Sequence, residues 1–130
     1  MSKIYTLINI CRIKFMIKVF GIKNCDTMKK TFTWLDAHSV EYKFIDYKKE
    51  GVVAEQIDVW INHVGWEKLL NTRGMMWRKI PDDEKLDLDE EIARRLMLAY
   101  PSAIKRPIIL CKDKLLVGFD ADFFMTELLA

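Results

Sequence analysis

Apolar and polar positions follow two rhythms along the chain, and each change of rhythm marks an element boundary. Ile17–Phe20 is a short run of strand-forming residues closed by Gly21. After the loop Ile22–Asn24 the period becomes helical from Asp26 to about His38, with Met28, Phe32 and Leu35 at i, i+4 and i+7. Ser39 and Val40 close that helix, and Tyr42–Tyr47 reads as a second strand with Tyr42, Phe44 and Asp46 on one face. Two strands joined by such a helix are expected to run parallel, with a right-handed crossover.

The stretch from Gly51 to Ser102 reads as almost wholly helical. Val53, Ile57, Trp60, Ile61 and Val64 share one stripe over Val53–Val64, and Trp66–Leu70 is a short second piece. Asp89–Tyr100 is a third, opened by Asp89, Glu90 and Glu91, whose charges suit the positive helix end, and stopped by Pro101. Pro81–Asp87 between them reads as a charged surface connection. Pro107–Cys111 and Leu115–Gly118 are strands joined only by Lys112-Asp113-Lys114, which implies an antiparallel hairpin. Asp120 caps a last helix, Ala121–Leu129, which offers Phe123, Phe124, Leu128 and Leu129 to the core.

The order is therefore β-α-β, a helical block over about residues 51–103, then β-β-α. That is an α/β, thioredoxin-like plan with a helical insertion between the second and third strands, occupying residues 16–130.

Composition supports one domain: 130 residues, 51% apolar and 31% charged, with five Gly and three Pro. Such a chain is neither disordered nor fibrous. The 21 Lys and Arg against 19 Asp and Glu give +2, far from the footprint of a protein that binds nucleic acid directly. Lys3, Arg12 and Lys14 fall within residues 1–15 beside no acid, so the rest of the chain holds 18 bases and 19 acids. That first segment is apolar and slightly basic, but nowhere approaches the roughly 18–20 apolar residues a membrane span needs. It carries no small-residue cleavage site either. Met16, directly before the first strand, is the expected natural start, with residues 1–15 an upstream extension. An extra edge strand or a loose amphipathic arm is the alternative. Cys11, Cys25 and Cys111 are an odd, widely spaced set without a Cys-x-x-Cys pair, which argues against a disulfide scaffold or a structural zinc site. A reducing cytoplasm is the expected compartment.

The residue with the most chemistry is Cys25, in Gly21-Ile22-Lys23-Asn24-Cys25-Asp26-Thr27, where the first strand hands over to the first helix. A thiol there meets unpaired backbone N–H groups and the positive end of the macrodipole, and both favour the nucleophilic thiolate. Lys23 and Lys29 would add to this and Asp26 would oppose it. The bland reading is a free Cys that packs as a small apolar group. Arg106-Pro107 is the second element. X-Pro at a strand start is one setting for a cis peptide, and in a thioredoxin-like sheet this loop faces the start of the first helix. The alternative is an exposed Arg before an edge-strand Pro. Third, Asn71-Thr72-Arg73-Gly74, followed by Trp77-Arg78, reads as a turn that presents Arg73, whose fork suits oxyanions and carboxylates. A solvated surface is the equal alternative for Arg73 and the preferred reading for Arg78. His38 and His63 read as surface or helix-end residues, Cys111 as core, and Trp34, Trp60, Trp66 and Trp77 as packing. No metal site is expected.

Together these elements resemble the arsenate reductase (ArsC) family, in the branch that includes the Spx regulators and YffB-like proteins. The resemblance is carried by Val19-Phe20-Gly21-Ile22-Lys23-Asn24-Cys25-Asp26-Thr27-Met28-Lys29-Lys30, by Leu70-Asn71-Thr72-Arg73-Gly74 with Trp77-Arg78, and by Ile104-Lys105-Arg106-Pro107-Ile108. It covers about Met16 to Leu129 and implies a thioredoxin-like fold with a helical insertion. It implies that Cys25 is the redox nucleophile, and that Arg73 and Arg106 hold an oxyanion and lower the thiol pKa. Lys23 and Asn24 would flank the anion, and Pro107 would be structural at the site. Two departures matter. Arsenate reductases carry a third arginine after the fourth strand, where this chain reads Val117-Gly118-Phe119. Redox-sensing Spx proteins carry a second Cys three residues after the first, where this chain has Met28. Both point to the YffB-like branch, and that resemblance implies a glutathione-dependent thiol reductase using one cysteine. Glutathione would be a co-substrate, resolving Cys25 from outside, and no cofactor would stay bound. The alternative the resemblance leaves open is an Spx-type transcriptional regulator that binds RNA polymerase without turnover. A degenerate member with a structural role only is the third reading.

Overall fold

Strand pairing organises the fold, and in the computed structural model, which describes residues 17–129, it gives one four-stranded sheet. The strands are β1 (Ile17–Gly21), β2 (Tyr42–Asp46), β3 (Ile108–Cys111) and β4 (Lys114–Val117), in the order β2-β1-β3-β4. β1 and β2 run parallel, from Ile17 opposite Tyr42 to Gly21 opposite Asp46, as expected of strands joined by a helix. β3 lies antiparallel to β1, with Val19 opposite Ile109, and antiparallel to β4, with Ile109 opposite Leu116. The expectations for residues 1–15, the start at Met16 and Cys11 lie outside the described residues.

Alternation along the strands feeds two cores. Ile17, Val19, Ile109, Cys111 and Leu116 face helices α1 (Asp26–Ala37) and α7 (Ala121–Leu128), meeting Met28, Leu35 and Phe124. Phe20 and Ile108 face the other way, into the inserted helices, with Ile57, Trp60, Leu96 and Met97. Phe20 meets Trp60 edge to face, ring centroids 5.0 Å apart. Burying each such side chain stabilises by roughly 1.5–3 kcal/mol, so both faces of the sheet are firmly covered. The close approach of α1 to β1 explains Gly21: a Cβ there would lie 2.5 Å from Met28 Sδ.

The insertion comprises α3 (Ala54–Val64), α4 (Trp66–Leu69), α5 (Met75–Lys79) and α6 (Glu90–Ala99), with short 3-10 turns at Asp82–Lys85 and Pro101–Ala103. It follows a single helical turn, α2 (Tyr47–Glu50). That turn corrects one expectation, because Tyr47 leaves the strand. Asp46 accepts the amides of Lys48 and Lys49 at 3.0 and 3.2 Å, starting a helix that period-two alternation cannot register. Tyr47 then enters the core, and its hydroxyl donates to the Ile104 carbonyl at 3.0 Å.

The connection at Pro81–Asp87 is held more firmly than an ordinary charged loop. Lys85 Nζ donates to the Trp77 carbonyl at 3.0 Å, and Tyr100 donates its hydroxyl to the Glu84 carboxylate at 3.0 Å. In the hairpin, Cys111 pairs with Lys114, so the loop is the two residues Lys112 and Asp113, and β4 begins one residue early. α7 starts where Asp120 accepts the Phe123 amide at 3.1 Å. Of the side chains offered by that helix, Phe124 is buried, while Phe123 and Leu129 stay exposed because the register turns them away from the sheet.

Candidate active site

Cys25 occupies the N-cap of α1 in an extended conformation, so its sulfur stands where the first amides of the helix lack partners. Arg106 reaches the same point from the other side of β1. It precedes Pro107 across a cis peptide, and the Pro107 carbonyl accepts the Gly118 amide at 2.8 Å. The guanidinium is held by its Nη1, which donates to the Ser102 carbonyl at 3.0 Å and the Ile104 carbonyl at 3.4 Å. Its Nε lies 3.4 Å from Cys25 Sγ and donates to it.

Electrostatics at the thiol follow from these contacts. Burial alone would push the Cys25 pKa up. The Arg106 hydrogen bond, the amides of Met28 and Thr27 and the guanidinium charge outweigh it, and the thiol titrates below its ordinary value. Cys111 shows the contrast: burial pushes its pKa up, and it packs in the core. Both thiols are free. Tyr47 lies against the guanidinium, and its burial pushes the hydroxyl up to about 12, so it stays neutral there.

A cavity of about 410 Å³ opens beside the sulfur. Its basic wall is Lys30, Lys105 and Arg106, its polar wall Thr27 and Asn71, and Gly118 with Phe119 complete it. Among the described residues no acidic side chain lines it. The position where arsenate reductases were expected to hold a third arginine is thus a glycine and an aromatic ring on the cavity wall. Met28, at the position of the second Spx cysteine, is wholly buried in the core.

The remaining expected residues lie elsewhere. Arg73 is exposed and does not line the cavity; its backbone N–H donates to Asn71 Oδ1 at 3.1 Å, and Asn71 is the residue that reaches the site. Gly74 leaves room for that side chain, since a Cβ there would lie 2.7 Å from Asn71 Nδ2 and push the amide aside. Lys23 belongs to a second cavity, along β2, with Phe32, Tyr42, Phe44 and Asp46. Asn24 and Lys29 are exposed and line neither cavity. So the structure brings Cys25 and Arg106 together and leaves Arg73, Lys23 and Asn24 outside the cavity beside them.

Lys30 and Lys105 are lining residues that pattern reading missed. Lys30 shares a helix face with Thr27, three residues earlier, which is the signal that could have found it. Lys105 is placed by long-range stitching: its N–H donates to the Leu69 carbonyl at 2.7 Å, Leu70 bridges Ile104, and the Asn71 N–H donates to the Ala103 carbonyl at 2.8 Å. His38 ends α1 against the Trp34 carbonyl, and His63 is hydrogen-bonded to the Val59 and Asp113 carbonyls, so each is a helix-end residue. Among the described residues no cluster of His, Cys, Asp or Glu suits a metal ion, and no helix is long and apolar enough to cross a membrane.

The class these features define is an α/β domain of thioredoxin-like fold, with a helix-capping cysteine beside an arginine and a helical layer inserted between the second and third strands. Residues 20–126 match the ArsC family, and the chain belongs to it. An uncharacterized protein of Haemophilus influenzae is 41% identical over 105 residues, covering 81% of this chain and 92% of that one. The global transcriptional regulator Spx of Enterococcus faecalis is 25% identical over 112 residues, 82% of either chain. Among solved structures, the YFFB protein superposes with a TM-score of 0.83 at 46% identity, over 85% of this chain and 97% of that one.

Proposed function

We propose that the protein is a glutathione-dependent thiol reductase of the ArsC family that works through one cysteine, Cys25. The observation that carries this reading is the contact between Arg106 Nε and Cys25 Sγ, at the mouth of a basic cavity. Thiolate and guanidinium stabilise each other there, so the nucleophile is prepared without a general base.

In the first step the Cys25 thiolate attacks the sulfur of a glutathionyl mixed disulfide. Its S–S bond breaks, the substrate thiol leaves as a thiolate and takes a proton from solvent, and Cys25 carries glutathione as a mixed disulfide. A second glutathione thiolate then attacks that bond, releasing oxidised glutathione and restoring Cys25. The sum balances: one glutathionyl mixed disulfide and one reduced glutathione give the substrate thiol and one oxidised glutathione, half of which comes from the substrate. The burial of Cys111 and the presence of Met28, a thioether, three residues after Cys25 favour resolution by an external thiol. The same chemistry fits a reducing, cytoplasmic setting.

The test is disulfide reduction coupled to glutathione reductase and NADPH consumption. Turnover is expected to require glutathione and to vanish in Cys25→Ser; a Cys25→Ser protein that turns over at the wild-type rate contradicts the reading. The Spx relative supports a second reading, a regulator that binds RNA polymerase. Capture of polymerase by the wild type and by Cys25→Ser alike, with no turnover, would favour it.

A further inference from the structure

Arg106 has few donors left for a substrate. Nε is engaged by Sγ and Nη1 by two carbonyls, which leaves only the Nη2 pair, so its main work is to hold the thiolate. The cavity nevertheless has two further cations, Lys30 and Lys105, and no lining acid. Among the described residues neither ammonium is in an ion pair. They come from separate elements: Lys30 from α1, three residues past Thr27, and Lys105 from the strand-like stretch stitched to Leu69–Asn71. Two ammonium groups lining one cavity with no acid beside them favour an anionic ligand there. The volume of about 410 Å³ falls within the usual range for small-molecule sites, roughly 300–1,000 Å³.

We propose that Lys30 and Lys105 form a two-point carboxylate subsite, distinct from Arg106, that selects the glutathionyl half of the disulfide exchanging with Cys25. The inference rests on the thiol reductase reading and adds the specificity to it. Glutathione carries two carboxylates on a flexible backbone. Two lysines suit it because an ammonium is a point charge on a long stem, accepting a carboxylate from several directions, whereas an arginine fork demands one geometry. Asn71 offers an amide in the same cavity.

The test compares three disulfides of different charge: oxidised glutathione (anionic), hydroxyethyl disulfide (neutral) and cystamine (cationic). Mixed-disulfide formation on Cys25 is followed by intact mass against time. The wild type is expected to prefer oxidised glutathione, with a preference that shrinks as salt is added. Lys30→Gln and Lys105→Gln should each cut the ratio of the oxidised glutathione rate to the hydroxyethyl disulfide rate by about twofold to fivefold, the scale of an exposed ion pair. Lys29→Gln, exposed and outside the cavity, should leave that ratio at the wild-type value. Equal ratios in all four proteins, or the same loss in Lys29→Gln, overturn the subsite while leaving the reductase reading intact. A wild type that forms no adduct with any of the three disulfides overturns both.

Discussion

Removing the Arg106 guanidinium has a worked consequence for Cys25. A hydrogen bond to a charged group contributes about 1.5–3 kcal/mol net, and partial solvent exposure of this thiol brings that to about 1–1.5 kcal/mol. Losing that much, about a factor of ten in the ionisation equilibrium, means that Arg106→Gln should raise the Cys25 pKa. The assay is the rate of iodoacetamide alkylation at Cys25 against pH. A more basic thiolate is also more nucleophilic, with a Brønsted slope of about 0.4–0.5, so the two profiles must cross. Below both midpoints the variant should react about threefold more slowly, because tenfold less thiolate is only partly offset. Above both midpoints, where each thiol is fully ionised, it should react about threefold faster. Arg106→Lys keeps the charge but loses the Nε–H donor, and its midpoint should fall between the other two. Superimposable wild-type and Arg106→Gln profiles would refute the claim that this contact tunes the thiol.

Further predictions concern the scaffold. Tyr47→Phe deletes the hydroxyl donor to the Ile104 carbonyl, and urea titration should show a loss of about 1 kcal/mol, since that carbonyl keeps its Arg106 contact. The same residue sets an alkaline limit. A hydroxyl held up to about 12 binds its proton in the folded state after the unfolded chain has released it near 10.0, so stability falls as pH rises through that window. Unfolding midpoints measured from pH 9 upward should flatten in Tyr47→Phe. Trp60→Ala leaves a cavity under Phe20 and should cost about 3–5 kcal/mol, enough for thermal melting to show a largely unfolded protein if the fold is marginal. Asp120→Ala removes the cap of α7 and should cost about 1 kcal/mol by the same titration, with Cys25 alkylation unchanged.

The strands and the long helices were legible because their apolar periods are regular: Met28 and Leu35 are buried on the stripe that predicted α1. Tyr47 was misread because alternation continues through Tyr42, Phe44 and Asp46 and hides the cap that Asp46 makes. Cys25 was legible from its place at a strand-to-helix handover, and Arg106 from the strand that follows it. The rest of the site depends on contacts between residues far apart in sequence. Lys30 and Lys105 look like solvated lysines until Leu69–Asn71 is bonded to Ala103–Lys105. The turn around Arg73 fits an anion-binding residue and a solvated surface equally well; Arg73 is exposed, and Asn71, whose Oδ1 accepts the Arg73 N–H, is the residue that lines the cavity.

The central claim is that Cys25, held below its ordinary pKa by Arg106, is the thiol that exchanges with glutathione. Its most direct test is peptide-level mass spectrometry after brief exposure of the intact chain to oxidised glutathione near neutral pH, scoring Cys11, Cys25 and Cys111 separately. The account predicts a glutathione adduct of 1:1 stoichiometry at Cys25, formed well before any at Cys111 and reversed by reduced glutathione. An unmodified Cys25, or an adduct appearing first at Cys111, would contradict it.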